Sequence, residues 1–150
     1  MDEFEKSLNK VLIETFNVIL KYEEDSLKKL VETPVTIGEA HVIEAIGRQV
    51  GGETTVSEIA SAMNVSAPTA TVAIKKLESK GYVKKSPCAK DGRKMLVSLT
   101  ATGKRIELSH RFFHSRMVRS ISKQFQDNEK EVLYKTINKL NNFFQEQLGT

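Results

Sequence analysis

The chain has 150 residues, 39% of them hydrophobic, with no Trp, seven Phe and three Tyr. That suits one domain with helical extensions and a mainly aliphatic core. The formal net charge is +4, no apolar run approaches the roughly 18 residues that cross a bilayer, and the acidic, amphipathic start MDEFEKSLNK does not read as a signal peptide. A single cysteine, Cys88, excludes an internal disulfide and fits a reducing cytoplasm.

Phe4, Leu8, Leu12, Phe16 and Ile19 recur at helical spacing, with Val11 and Thr15 beside them, and predict one long amphipathic helix over 3–31 that Pro34 ends. A second helix starts near Thr36, whose hydroxyl and Glu39 have capping-box spacing, and runs to about Arg48 before Gly51 and Gly52. Thr55 and Glu58 repeat that spacing and open a short helix with Ile59, Ala60 and Met63 facing inward. Asn64 and Val65 make a turn. Ser66 caps the next helix, with Pro68 in its first turn, where a missing N–H costs nothing. Ala70, Ala73, Ile74 and Leu77 share one face of it; Thr69, Thr71, Val72, Lys75 and Lys76 lie on or near the other, and Gly81 is placed to cap its end.

Tyr82 to Lys85 and Met95 to Leu99 read as short strands, with Asp91-Gly92 as the turn signal between them, flanked by Lys90 and Arg93. Thr100 caps a helix over about 101–125, and a last helix covers about 129–147. Their stripes are Ile106, His110, Phe113, Met117 and Ile121, then Leu133, Ile137, Leu140, Phe144 and Leu148. The fold class is therefore mainly α with a small β-wing, a winged helix-turn-helix between terminal helices. Residues 1–34 form an N-terminal dimerisation helix, 35–100 the DNA-binding domain and 101–150 C-terminal dimerisation helices. Long helices at both ends of so small a domain cannot hide their apolar stripes within one subunit, so a two-fold homodimer is expected.

Charge is unevenly placed. Residues 1–34 hold eight acids and five bases; residues 66–95 hold eight bases and two acids; residues 101–126 hold six bases and one acid. The middle of the chain thus carries more than the whole net charge, and a basic helix–strand–turn–strand makes double-stranded DNA the default partner over a merely solvated lysine face.

VSEIASAMNVS from Val56 to Ser66, KLESKGYV from Lys76 to Val83, DGR from Asp91 to Arg93 and LTATG from Leu99 to Gly103 together resemble the MarR family of bacterial transcription regulators. Each piece alone is weak, but their order and spacing are specific, and the six-helix layout matches over essentially the whole chain. The resemblance implies an obligate dimer with two winged lobes on a pseudo-palindromic operator, most often as a repressor in the cytoplasm, associated with the nucleoid. Ser66, Thr69 and Thr71, with the apolar Ala67 and Pro68, suit a helix N-terminus in the major groove. Lys75 and Lys76 suit phosphates, as does Ser57 from the preceding helix. At the wing, beside Lys90, Arg93 suits a narrow minor groove. Asp91 would orient that arginine, or serve simply as a turn residue. Val72 stands where family members often carry a basic or polar residue, which shrinks the base-reading set.

The three histidines are His41, His110 and His114. His110 and His114 stand four apart, one turn along the same helix face, a spacing at which two imidazoles meet one metal. In the layout of this family they converge with Glu23 between the dimer scaffold and the DNA-reading lobe, where a bound ligand sets the spacing of the recognition helices. Two subfamilies share the pattern. In streptococcal zinc-uptake regulators, Glu23, His41, His110 and His114 fall on the ligands of one zinc site, while Lys29, Ala40 and Ser109 replace those of a second. In Gram-positive fatty-acid-synthesis repressors, whose corepressor is an acyl chain on its carrier protein, the stretches TIGEAHVIEAIG from Thr36 and HRFFHSRM from His110 look closer, and the histidines persist without zinc. Hydrogen bonding within the fold, a divalent metal and direct effector contact all remain open for these residues, so no cofactor beyond candidate zinc is implied. Cys88, among Lys84, Lys85, Lys90 and Arg93, reads as an incidental exposed thiol before a redox sensor.

No phosphate-cradling glycine loop, HExxH or GxSxG occurs, so an enzyme is not expected and a metal-dependent hydrolase at the histidines is a remote alternative. A non-specific architectural DNA-binding protein is the other; varied side chains at the start of the recognition helix argue against it.

Overall fold

The computed structural model describes residues 1–29 and 35–149. By packing, the chain forms two units, Met1–His110 and Arg111–Thr150.

The first unit begins with α1, Glu3–Leu27, closed at its start by a reciprocal Asp2–Glu5 box with both bonds at 2.7 Å. The helix was expected to run to 31. It ends instead at Leu27, where the last turn tightens as the Lys29 N–H reaches the Ser26 carbonyl and Leu27 enters the core. The expected stop at Pro34 lies outside the described residues. The helix α2, Ile37–Gly47, starts as expected at Thr36, whose hydroxyl accepts the Glu39 N–H at 3.2 Å while Glu39 accepts the Thr36 N–H at 3.0 Å. After a 3-10 turn at Val50–Gly52 comes a strand that periodicity did not reveal, β1, Glu53–Thr55. Three residues are too few to show a period of two. Thr55 also caps α3, Val56–Ala62, and Asn64 takes the left-handed turn that follows, with φ at 52°.

The helix α4, Ala67–Ser79, is capped by Ser66 and has Pro68 in its first turn. It ends in a Schellman arrangement: the Tyr82 N–H reaches the Leu77 carbonyl and the Gly81 N–H that of Glu78, with Gly81 at φ 76°. Ala70, Ile74 and Leu77 are buried as expected, and Ala73 is half-buried. The wing strands are β2, Val83–Pro87, and β3, Met95–Leu99. The latter is central in an antiparallel sheet of order β1-β3-β2, with Val97 opposite both Thr54 and Lys85. Ile43, Ile46, Ile59, Ile74, Leu77 and Val97 are the heart of the aliphatic core.

The base of the wing is tied to α5, Ala101–Ser122, by Thr100. Its N–H and hydroxyl both reach the Tyr82 carbonyl, the hydroxyl also reaches that of Gly81 at 2.7 Å, and its oxygen accepts the Gly103 N–H at 3.1 Å. A Cβ on Gly103 would stand 2.0 Å from the Tyr82 carbonyl oxygen, which gives the glycine of LTATG its physical reason. The unit boundary falls within α5.

The second unit holds the rest of α5 and α6, Asp127–Leu148. The last helix starts two residues before its expected position because the Gln126 N–H finds Glu129 at 2.7 Å. Gly149, at φ 72°, ends it.

Candidate nucleic-acid interface and acid–histidine cluster

The N-terminus of α4 is exposed from Ser66 to Thr69. The Ser66 and Thr69 hydroxyls lie 2.8 Å apart, and Ser66 also takes the Thr69 N–H, so one cap group orders the pair. Thr71 is half-buried and donates to the Ala67 carbonyl at 2.9 Å, leaving its oxygen as an acceptor. Val72 is 68% exposed, an unshielded apolar side chain on this face. Ser57, at the start of α3, is exposed as well.

At the wing, the Cys88 N–H donates to the Lys94 carbonyl and the Lys94 N–H to that of Asp91, closing the loop. The Asp91 carboxylate accepts the Arg93 main-chain N–H at 3.1 Å. Asp91 therefore shapes the turn through the backbone, and the bond reaches the arginine's peptide group rather than its guanidinium. Lys90 and Arg93 are exposed, and among the described residues Lys75, Lys90 and Arg93 form no ion pair. Cys88 is half-buried.

Lys76 is placed differently from its sequence reading. Its ammonium sits 3.1 Å from Glu39, whose other oxygen holds Lys80 at 2.8 Å. Burial alone would raise the Glu39 carboxyl, but hydrogen bonds from Lys80, the Thr36 N–H and Lys76 outweigh it and hold the group below the ordinary carboxylate range. This contact joins α2 to α4, and nothing local in the sequence pairs those residues.

Behind α2 lies the second feature. His110 of α5 is 1% exposed, with its Nε2 2.5 Å from Glu23 of α1 and its Nδ1 3.1 Å from Glu44 of α2. His41 Nε2 approaches the same Glu23 oxygen at 3.3 Å, and Arg48 donates to the other Glu44 oxygen. Both ring nitrogens of His110 face carboxylates, and both donate only when the ring carries two protons. Of the expected set, the structure brings together Glu23, His41 and His110; His114 lies one turn further along α5, in the second unit. Glu44 and Arg48 were missed. Their signal was present, since they are four apart on one helix and Glu44 follows His41 by three.

The donor atoms of Glu23, His41 and His110 lie within 4.8 Å of one another. Two imidazole nitrogens and a carboxylate oxygen are a donor set that zinc takes, and Glu44 on the far nitrogen of His110 is the outer carboxylate that fixes a ligating imidazole. The residues fit such an ion. When bound, it would tie α1, α2 and α5 by coordination in place of hydrogen bonds.

Residues 33–94, from the end of the α1–α2 connection to the wing, match the model of the MarR family. That stretch is similar to a MarR-family domain. Similarity of structure extends well beyond it. FabT of Streptococcus pneumoniae, solved in complex with DNA, superposes with a TM-score of 0.87 at 29% identity over 95% of this chain and 99% of that one. AbsC, a MarR family transcriptional regulator from Streptomyces coelicolor, has a TM-score of 0.78 at 16% identity, covering 97% of each chain. A mutant of Lactococcus lactis ZitR has a TM-score of 0.59 at 23% identity, over 92% of this chain and 98% of that one. These last two show the fold alone. The search of curated proteins gives no match. The MarR family is one of DNA-binding winged-helix transcription regulators, not of enzymes, and among the described residues no helix is long and apolar enough to cross a membrane.

Proposed function

We propose that this chain is a MarR-family transcription repressor, a homodimer that reads a pseudo-palindromic operator in the cytoplasm, at the nucleoid. The observation that carries this is the exposed, Ser66-capped start of α4 beside an exposed Lys90–Arg93 wing, in a fold that superposes over nearly its full length on a DNA-bound relative. Ser66, Ala67, Pro68, Thr69 and Thr71 face the major groove, Ser57 and Lys75 the phosphates, and Arg93 the minor groove. Residues 1–34 and 101–150 provide the dimer scaffold. The acid–histidine cluster is the effector-sensing element, because it joins α1, α2 and α5 in one network around the buried His110. An acyl chain on its carrier is one candidate effector, acting on a cluster in which His110 bridges Glu23 and Glu44 by hydrogen bonds rather than through an ion. Zinc is the second reading, favoured by the donor set of Glu23, His41 and His110.

Selection of bound duplexes from a random DNA library, followed by fluorescence anisotropy at fixed salt, tests the DNA reading. Enrichment of an inverted repeat is expected, with binding weakened about fivefold or more in Arg93→Ala, the scale of losing a specific contact of ~1–3 kcal/mol. An unenriched library defeats the reading. Repeating the titration with chelator-treated protein, with and without zinc, tests the metal: a zinc response lost in His110→Ala selects it, and indifference to zinc removes it and turns the search toward an acyl or other organic effector.

A further inference from the structure

We propose that Glu39 limits the phosphate contacts of the recognition helix by holding Lys76 away from DNA. Lys76 and Lys75 are adjacent on the exposed side of α4, and by sequence both are phosphate ligands. Only Lys75 is left without an ion pair among the described residues. The Glu39 carboxylate is 7% exposed and takes Lys80 and the Thr36 N–H on one oxygen, leaving the other to Lys76. That second oxygen is closed to water, and the ammonium that meets it, at 3.1 Å, is that of Lys76. Moving Lys76 to a phosphate would strand a buried carboxylate oxygen, whereas Lys75 pays no such penalty. Burial of Glu39 is thus what keeps Lys76 where it is. The salt-dependent, sequence-independent part of DNA affinity scales with the number of phosphate-contacting cations, and Glu39 keeps that number down.

This role rests on the DNA-binding reading above. Its test is the slope of log affinity against log salt concentration, measured on the selected operator and on a scrambled duplex of equal length. Glu39→Gln keeps an acceptor for the Thr36 N–H, because glutamine also serves in a capping box, and removes the charge that holds Lys76. The slope should steepen by about 0.9 for each lysine released, on both duplexes. Lys76→Gln in the wild-type background should leave the slope unchanged, and the double variant should return to the wild-type slope. Overturning results are a Glu39→Gln slope equal to or shallower than wild type, or a shallower slope in Lys76→Gln. The second holds whether or not Glu39→Gln folds. A wild-type protein that binds neither duplex defeats the DNA-binding reading itself, an outcome distinct from either of these.

Discussion

Two glycines in helices of the first unit separate intrinsic propensity from packing. A helical glycine replaced by alanine gains up to about 1 kcal/mol in stability where nothing obstructs the new methyl group. Gly38 of α2 is such a position: beyond its own helix backbone, no atom of the described residues lies within 4 Å of an added Cβ. Gly103 of α5 is the opposite. There the methyl would meet the Tyr82 carbonyl oxygen at 2.0 Å, and that oxygen is fixed by two bonds from Thr100. Backbone cannot swing aside as a side chain does, so the steric cost exceeds the propensity gain. Urea unfolding should show Gly38→Ala at or above wild-type stability and Gly103→Ala lower by about 1–3 kcal/mol. A Gly103→Ala protein as stable as wild type would remove the close approach of α5 to the wing.

At the scale of elements, carboxylates at helix starts make the first unit sensitive to acid. Glu58 holds the start of α3 by accepting the Thr55 N–H at 2.8 Å and the Thr54 hydroxyl at 2.9 Å. The Thr55 backbone bond, with those of the two hydroxyls, holds the Glu58 carboxyl below its ordinary range. A carboxyl depressed in the folded state stabilises above its unfolded pKa and loses that contribution as pH falls through the folded one. Wild type should therefore be more stable than Glu58→Gln at pH 7, and the gap should close as pH drops below about 4.3, the ordinary glutamate value. Denaturant titrations at a series of pH values read this directly; a gap that does not change with pH would mean that Glu58 acts by shape alone. Such caps are also why much of the fold could be read in advance. The Thr36–Glu39 and Thr55–Glu58 boxes, Ser66 with Pro68, and the Asp91-Gly92 turn are written within four residues of themselves. The strand β1 was illegible because its partner β3 lies far along the chain and three residues show no period. The Glu39–Lys76 contact was hidden for a related reason: a lysine on an exposed face looks the same whether its partner is a phosphate or a carboxylate from another helix.

At the scale of the whole molecule, α1 raises a problem that the single chain leaves unsolved. Of its 25 residues only Glu23 and Leu27 are buried, while Phe4 is 71% and Phe16 61% exposed, with Leu8, Val11 and Ile19 also uncovered. Nor does α6 bury any residue. An apolar face on this scale marks an interface, and the commonest symmetric cover is a second copy about a two-fold axis. The same axis would set two α4 helices at the spacing of an inverted repeat, so oligomeric state and operator form depend on one surface. Phe16→Glu places a charge in the middle of that face without disturbing a residue that the single chain buries. Analytical ultracentrifugation should show a dimer for wild type and a dissociation constant raised about 30-fold or more for the variant, the scale of losing one interface hot spot. Circular dichroism should stay unchanged, and affinity for the full inverted repeat should fall toward that for a single half-site. An intact dimer in Phe16→Glu would exclude α1 as the seam; a wild-type monomer that still bound the full repeat tightly would break the link between dimer symmetry and operator reading.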